Sequence, residues 1–346
     1  MNAFEFVRAR TVAEAIAAGS SPGSAFLAGG TNLVDLMKSA VSRPPKLVDI
    51  GRVEGLDAIE TRADGTVRVG ALVANAALAR GAFAARFPLI AEAVLSGASP
   101  QLRNAATVGG NLMQRTRCAY FFDAASACNK RTPGAGCDAK GGEARTNAIL
   151  GWSEHCVATH PSDLCVALAA LSAVVEIDGP TGRRETPINS FYRLPGDTPE
   201  RESELAQGEL IVAVRLPADA AAFAGHSRYL KARDRVSYAF ALASCAAALR
   251  LENGVIVEAR VALGGVAPKP WRAEAAEAAL AGAKPEDATF AAAAAAALSD
   301  AKPSGDNAFK IELGRRVVAR ALRLAAAGTP KSMPALPASP FGGARG

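Results

Sequence analysis

Residues 103–163 carry the side chains of this chain that could do chemistry. The stretch opens with Arg103-Asn104-Ala105-Ala106-Thr107-Val108-Gly109-Gly110-Asn111-Leu112. It then holds Cys118, Cys128, Cys137 and Cys156, and closes on Pro161-Ser162-Asp163. A Gly-Gly turn has no Cβ to keep a ligand away and reaches φ > 0 freely. Successive N–H groups in such a turn form an anion-binding concavity. A tight turn between packed elements uses the same residues, so one copy says little. A second copy, Ala28-Gly29-Gly30-Thr31-Asn32-Leu33, again sets Thr and Asn beside Gly-Gly. Two such turns could hold one diphosphate from two sides.

The four cysteines are spaced C-x9-C-x8-C-x18-C. Zinc knuckles want paired C-x2-C, and ferredoxins a C-x2-C-x2-C run. Residues 129–136 between them are turn-rich and lack apolar periodicity. The set reads as a loop wrapped around a metal or cluster, with disulfides or free thiols as the alternative. Cys165 and Cys245 lie in apolar runs and are expected in the core. A phosphate cradle next to a cluster site suggests two cofactors and electron transfer.

The chain has 346 residues, half of them apolar, which allows two or three domains with proper cores. Its net charge is +6, and aromatics are only 5%. No basic stripe interleaved with aromatics appears, so nucleic acid is not an expected partner. An acidic protein partner or a diphosphate accounts for the basic excess equally well. No apolar run approaches the ~18 residues of a membrane span. The N-terminal residues lack a secretory pattern, so folding in the cytoplasm is expected.

Stepping outward, a strand at 4–7, a helix from the Thr11/Glu14 capping box, strands at 24–27 and 46–50 and a helix at 33–39 make a β-α-β-α-β lobe, residues 1–55. The first turn therefore joins a strand to a helix N-terminus, where phosphate is favoured. It is not G-x-G-x-x-G, which argues against a dinucleotide fold binding NAD. Residues 56–190 form a second lobe with a hairpin at Asp64-Gly65, a helix start at Ser99-Pro100, and the cysteine loop at 113–160. A Pro-, Glu- and Gly-rich patch at 195–208 marks a boundary or a mobile loop. Residues 209–326 make a C-terminal domain: strands at 209–216 and 227–233, a hairpin around Asn253-Gly254, and helices at 271–281, 290–298 and 310–326. Residues 327–346 read as an extended tail.

Phe26-Leu27-Ala28-Gly29-Gly30-Thr31-Asn32-Leu33, the 103–112 stretch, Pro161-Ser162-Asp163 and Leu263-Gly264-Gly265-Val266-Ala267-Pro268 resemble the FAD-binding subunits of the xanthine dehydrogenase family of molybdenum hydroxylases. The resemblance implies an α+β chain: a two-lobed FAD-binding domain of the vanillyl-alcohol-oxidase type, followed by a C-terminal domain of the carbon-monoxide-dehydrogenase flavoprotein type. The cysteine insertion resembles that of periplasmic aldehyde oxidoreductase FAD subunits, which implies a [4Fe–4S] cluster on Cys118, Cys128, Cys137 and Cys156. It also implies that Phe26, Leu27, Ala28, Gly29, Gly30, Thr31, Asn32, Leu33 and Val34, with Arg103, Thr107, Val108, Gly109, Gly110 and Asn111, hold FAD, chiefly its pyrophosphate through backbone N–H groups. Asp163 would accept from ribityl or ribose hydroxyls, and Lys231 would stand near the isoalloxazine. From the residues alone, Lys231 reads as a solvated strand lysine and Asp163 as part of a helix cap.

By the same resemblance the chain is an electron-transfer subunit with no catalytic acid–base pair. It would sit in a heterotrimer with a large molybdenum-cofactor subunit and a small [2Fe–2S] subunit, taking electrons from the latter to an external acceptor. A partner with a twin-arginine signal could carry the folded complex to the periplasm. Two other readings stand beside it: a stand-alone flavin oxidase, and an interaction protein with zinc or bare cysteines and no flavin.

Overall fold

The computed structural model describes residues 1–330; the remainder of the expected tail lies outside the described residues. The first lobe contains β1 (Glu5–Arg8), α1 (Val12–Gly19), β2 (Ala25–Leu27), α2 (Leu33–Lys38) and β3 (Lys46–Asp49). Its strands are parallel in the order β1-β3-β2. Thr11 Oγ1 accepts from Glu14 N, and the Glu14 carboxylate reaches back to Arg10 N at 2.8 Å, one residue before the usual box partner.

The second lobe runs through β4 (Ile59–Thr61), β5 (Val67–Gly70), α3 (Gly81–Arg86), α4 (Pro88–Ser96), α5 (Pro100–Ala105), α6 (Val108–Leu112), α7 (Ala119–Phe122), α8 (Asp163–Ala170), β6 (Val174–Gly179), β7 (Gly182–Pro187), α9 (Ile188–Phe191) and β8 (Leu210–Leu216). Its antiparallel sheet has the order β4-β5-β8-β6-β7. β8 therefore belongs to this lobe and does not open the C-terminal domain as expected. It pairs with β5 on one side and β6 on the other, and its near-continuous apolar run is buried on both faces. Leu210 and Val212 also enter the core of the first lobe beside Val48 and Ile50, so β8 joins both lobes.

The C-terminal domain comprises β9 (Ser227–Ala232), β10 (Ala243–Glu252), β11 (Val255–Gly264), β12 (Trp271–Arg272), α10 (Glu274–Leu280), α11 (Asp287–Ala297) and α12 (Phe309–Ala326). The sheet order is β12-β11-β10-β9, with the helices packed on one face. Asn253 and Gly254 both have φ > 0, as a two-residue hairpin turn requires. The helix expected from 271 begins at 274, because Trp271 and Arg272 pair with Leu263 and Ala262. Lys310 is fully buried on α12. Its ammonium donates to Thr146 O, Asn147 O and Gly265 O, tying this domain to the end of the cysteine segment.

Glu176 on β6 is 1% exposed and sits among Arg68 (2.9 Å), Arg62 (3.2 Å) and Arg215 (3.7 Å). Removing the carboxylate leaves buried Arg68 without its counter-charge. Glu176→Ala is expected to destabilise the protein by about 3–5 kcal/mol, read as a lower urea midpoint; an unchanged midpoint would exclude this role.

His160 ends the cysteine segment, edge-on to Tyr192 with centroids 4.6 Å apart. Its Nδ1 accepts from Ser162 N at 3.3 Å, while Nε2 has no partner among the described residues. Burial pushes its pKa down to about 4, from an ordinary 6.5. The unfolded chain then binds a proton that the fold refuses between these values. Stability is full above pH 6.5 and falls as pH drops toward 4, by up to about 3 kcal/mol, less for the part of the ring that water reaches. Denaturation midpoints across this window are expected to lose part of their slope in His160→Gln; identical profiles would rule the assignment out.

Candidate functional site

A cavity of ≈ 870 Å³ opens between the two lobes and the C-terminal domain, within the usual range for ligand sites. Gly30, Thr31, Asn32 and Val34 line one wall. Phe26, Leu27, Ala28, Gly29 and Leu33 are not on the lining and instead support the turn. Phe26 packs on Gly19, where any Cβ would stand 2.4 Å from its ring. Gly29 presses on α5 so closely that a Cβ would lie 1.8 Å from Ala105 O. Gly30 has φ +72°, open to glycine at no cost. The N–H groups of Gly29, Gly30, Thr31 and Asn32 have no acceptor among the described residues. Asn32 Oδ1 accepts from Arg115 N, but its buried Nδ2 is unpartnered, as is Asn75 Oδ1, also on the cavity lining.

The second turn differs. Thr107 caps α6 by accepting from Gly110 N at 3.2 Å, and Asn111 N donates to Thr107 O. Val108 N and Gly109 N donate to Val73 O and Ala71 O beyond β5. The expected pyrophosphate donors from Val108 to Asn111 are thus engaged within the protein, because the turn docks on the end of a strand, and only Thr107 N has no acceptor among the described residues. Thr107, Val108 and Gly109 face away from the cavity; Gly110, Asn111 and Arg103 line it. The Arg103 guanidinium donates to Gly97 O at 2.7 Å, and burial lowers its pKa.

Asp163 and Lys231 meet on the cavity floor, 2.8 Å apart with side chains 10% and 4% exposed. The expectation from residues alone of a solvated lysine is overturned, because β9 turns this face inward. The Tyr229 hydroxyl donates to the other Asp163 oxygen at 2.6 Å and lies 2.9 Å from Ser244 Oγ. Burial, and then the Asp163 charge, push the Tyr229 pKa well up, so it stays a donor. Tyr229 escaped the sequence reading. Its signal was a position two residues from Lys231 on one strand, hence on the same face.

The four cysteines lie in one apolar cluster with Leu36, Phe121, Val157 and Ala158. Cys118, Cys128 and Cys156 are buried, Cys137 is half-buried, and none is in a disulfide. Backbone bridges pair Cys128 with Cys137 and Ser153 with Cys156. Burial pushes the Cys118 thiol up and Cys156 to about 11, and the neighbouring cysteines add to both. Among the described residues no three His, Cys, Asp or Glu side chains converge tightly enough to hold a single metal ion. Cys118 also touches the cavity. Cys165 and Cys245 are fully buried in α8 and β10, with Cys165 Sγ 3.1 Å from Tyr192 Oη.

No helix among the described residues is long and apolar enough to cross a membrane. Residues 2–219 match the family described as the FAD binding domain in molybdopterin dehydrogenase, and 228–325 the CO dehydrogenase flavoprotein C-terminal domain. The first match ends just after β8, in agreement with the sheet. The chain is 48% identical over 327 residues to the aldehyde oxidoreductase FAD-binding subunit PaoB of Escherichia coli strain K12, covering 93% of this chain and 98% of that one. It is 30% identical to the carbon monoxide dehydrogenase medium chain of Hydrogenophaga pseudoflava, over 93% and 96% of the two chains. A solved structure of carbon monoxide dehydrogenase from that organism superposes with a TM-score of 0.73 at 30% identity, over 94% and 98% of the chains. With both lobes and the C-terminal domain accounted for, the chain belongs to the FAD-binding subunits of the molybdenum hydroxylases, the xanthine dehydrogenase family of oxidoreductases.

Proposed function

We propose that this chain is the FAD and [4Fe–4S] electron-transfer subunit of a molybdenum-dependent aldehyde oxidoreductase. Aldehyde oxidation follows from the relative at 48% identity, whose name carries that activity. In this reading a large molybdenum-cofactor subunit and a small [2Fe–2S] subunit complete a heterotrimer. Folding occurs in the cytoplasm, and co-export on a twin-arginine partner accounts for a periplasmic complex. Bound FAD would accept electrons singly and release them in pairs, and a [4Fe–4S] cluster would take them one at a time.

The observation that carries the reading is the run of acceptor-free N–H groups at Gly30, Thr31 and Asn32 on the wall of the ≈ 870 Å³ cavity. These groups suit a diphosphate, and the orphaned Asn32 Nδ2 and Asn75 Oδ1 need polar ligand atoms. Asp163, held by Tyr229 and Lys231, keeps lone pairs for ligand hydroxyls. Lys231 holds a positive charge beside that carboxylate, where it would favour an electron-rich ring. The second turn shapes the wall and offers Asn111 and Arg103 rather than its N–H groups.

The thiols fit a cluster better than a single ion. Four irons with their sulfides form a larger body, so its ligands stand further apart than those around one zinc. Cys118, Cys128, Cys137 and Cys156 supply four thiolates, and Lys130 beside Cys156 offsets their charge.

Thr31→Asp places a negative charge in the first turn and is expected to weaken FAD binding about tenfold or more, measured by flavin fluorescence on titration. Gly110→Ala, at the occupied turn, should change it far less. Equal effects at both turns would refute the division of labour. Anaerobic analysis should find about four irons per FAD, with a dithionite-reduced paramagnetic signal lost in Cys128→Ser. FAD without iron would remove the cluster, and zinc without flavin would remove the whole reading.

A further inference from the structure

The cysteine segment meets the β9–β10 connection, residues 233–242, at two places on the cavity mouth. Arg145 forks onto Asp234, Nη1 to Oδ2 at 2.9 Å and Nη2 to Oδ1 at 2.8 Å. Arg117, adjacent to Cys118, lies over two rings, 5.3 Å from the Phe122 centroid and 5.2 Å from that of Phe240. It also donates to Asp35 of α2 at 2.8 Å. Arg117, Asp234 and Phe240 all line the cavity.

The connection has few other anchors. Arg233 donates to Ser96 O at its base, and Arg235 folds back on Tyr238 O within the turn. Val236 and Tyr238 at the tip are 61% and 59% exposed. A segment with so little buried surface takes its position from whatever contacts remain.

We propose that Arg117 and Arg145 are positioning residues that fasten this outer wall of the cavity to the cysteine segment, so that filling the four thiols tightens retention of the cofactor. A bidentate fork fixes arginine and carboxylate in one plane. A guanidinium over two rings is attracted to each. Arg117 is bonded to Cys118 through one peptide, so a ligated Cys118 fixes the arginine, and an empty one lets it shift. The inference rests on FAD in the cavity and a cluster on the thiols.

The test uses the assembled complex and two readouts: FAD release followed by flavin fluorescence, and trypsin cleavage after Arg235. Arg145→Gln and Asp234→Asn are each expected to speed both by about two- to fivefold. The exchanged pair Arg145→Asp with Asp234→Arg should recover the original rate of FAD release. Removing iron with a chelator should speed both as well, and Arg145→Gln should then add little. Unchanged rates in both single variants would overturn the proposal, and so would an equal added effect with and without iron. Wild-type protein without flavin would instead overturn the reading of the cavity, and the cleavage rates alone would decide the fastening.

Discussion

Two carboxylates from the second lobe grip one strand of the C-terminal domain, and the cavity depends on that grip. Asp163 at the start of α8 takes the Lys231 ammonium and the Tyr229 hydroxyl. Glu92 on α4 takes the Arg228 guanidinium and the Tyr229 N–H. Burial raises the Glu92 pKa, and Arg228 with the Tyr229 N–H opposes that rise. Buried pairs of this kind add little net stability over apolar substitutes, but losing one partner is costly. Their effect is to fix the register of β9 against α4 and α8. A slip of one residue would turn Lys231 and Tyr229 away from the cavity.

With β9 fixed, close backbone approach sets the remaining walls. Gly29 lets the first turn touch the end of α5, and Gly97 leaves room for Asp163, where a Cβ would stand 3.0 Å from its oxygen. The two Gly-Gly turns then divide their work. The first has free N–H groups because it leaves a short edge strand. The second follows α5 and runs onto the carbonyls of Ala71 and Val73, which take the Gly109 and Val108 N–H groups, while Thr107 takes those of Gly110 and Asn111.

Local signals carried much of this architecture in the sequence. The Thr11 and Ser99 caps, the Asn253-Gly254 hairpin and the strand-to-helix setting of the first turn all depend on neighbours within a few residues. The membership of β8 depends on pairing with strands about 35 and 145 positions earlier, which no local pattern encodes. The gap of 195–208 looked like a domain boundary, yet the chain returns to the same sheet after it. The second turn resembled the first in composition, and only its docking partners distinguish them. Tyr229 was hidden because tyrosine on a strand is common in any core.

The base of the cysteine segment is pinned independently of the segment's length. Ser162 Oγ donates to Asn111 Oδ1 at 2.5 Å, joining α6 to the cap of α8. Lengthening a loop adds only slowly to its closure entropy, so residues 113–160 can leave and return without moving Asp163. The segment brings its own attachment. Lys130, 7% exposed at its side chain, pairs with Glu202 at 3.0 Å, and Arg115 pairs with the same carboxylate. Burial pushes the Glu202 pKa upward, but these two cations hold it below the usual carboxylate range. Glu202 lies within the Pro- and Glu-rich patch ahead of β8, so that patch is a docking strap for the cysteine segment rather than a linker between domains.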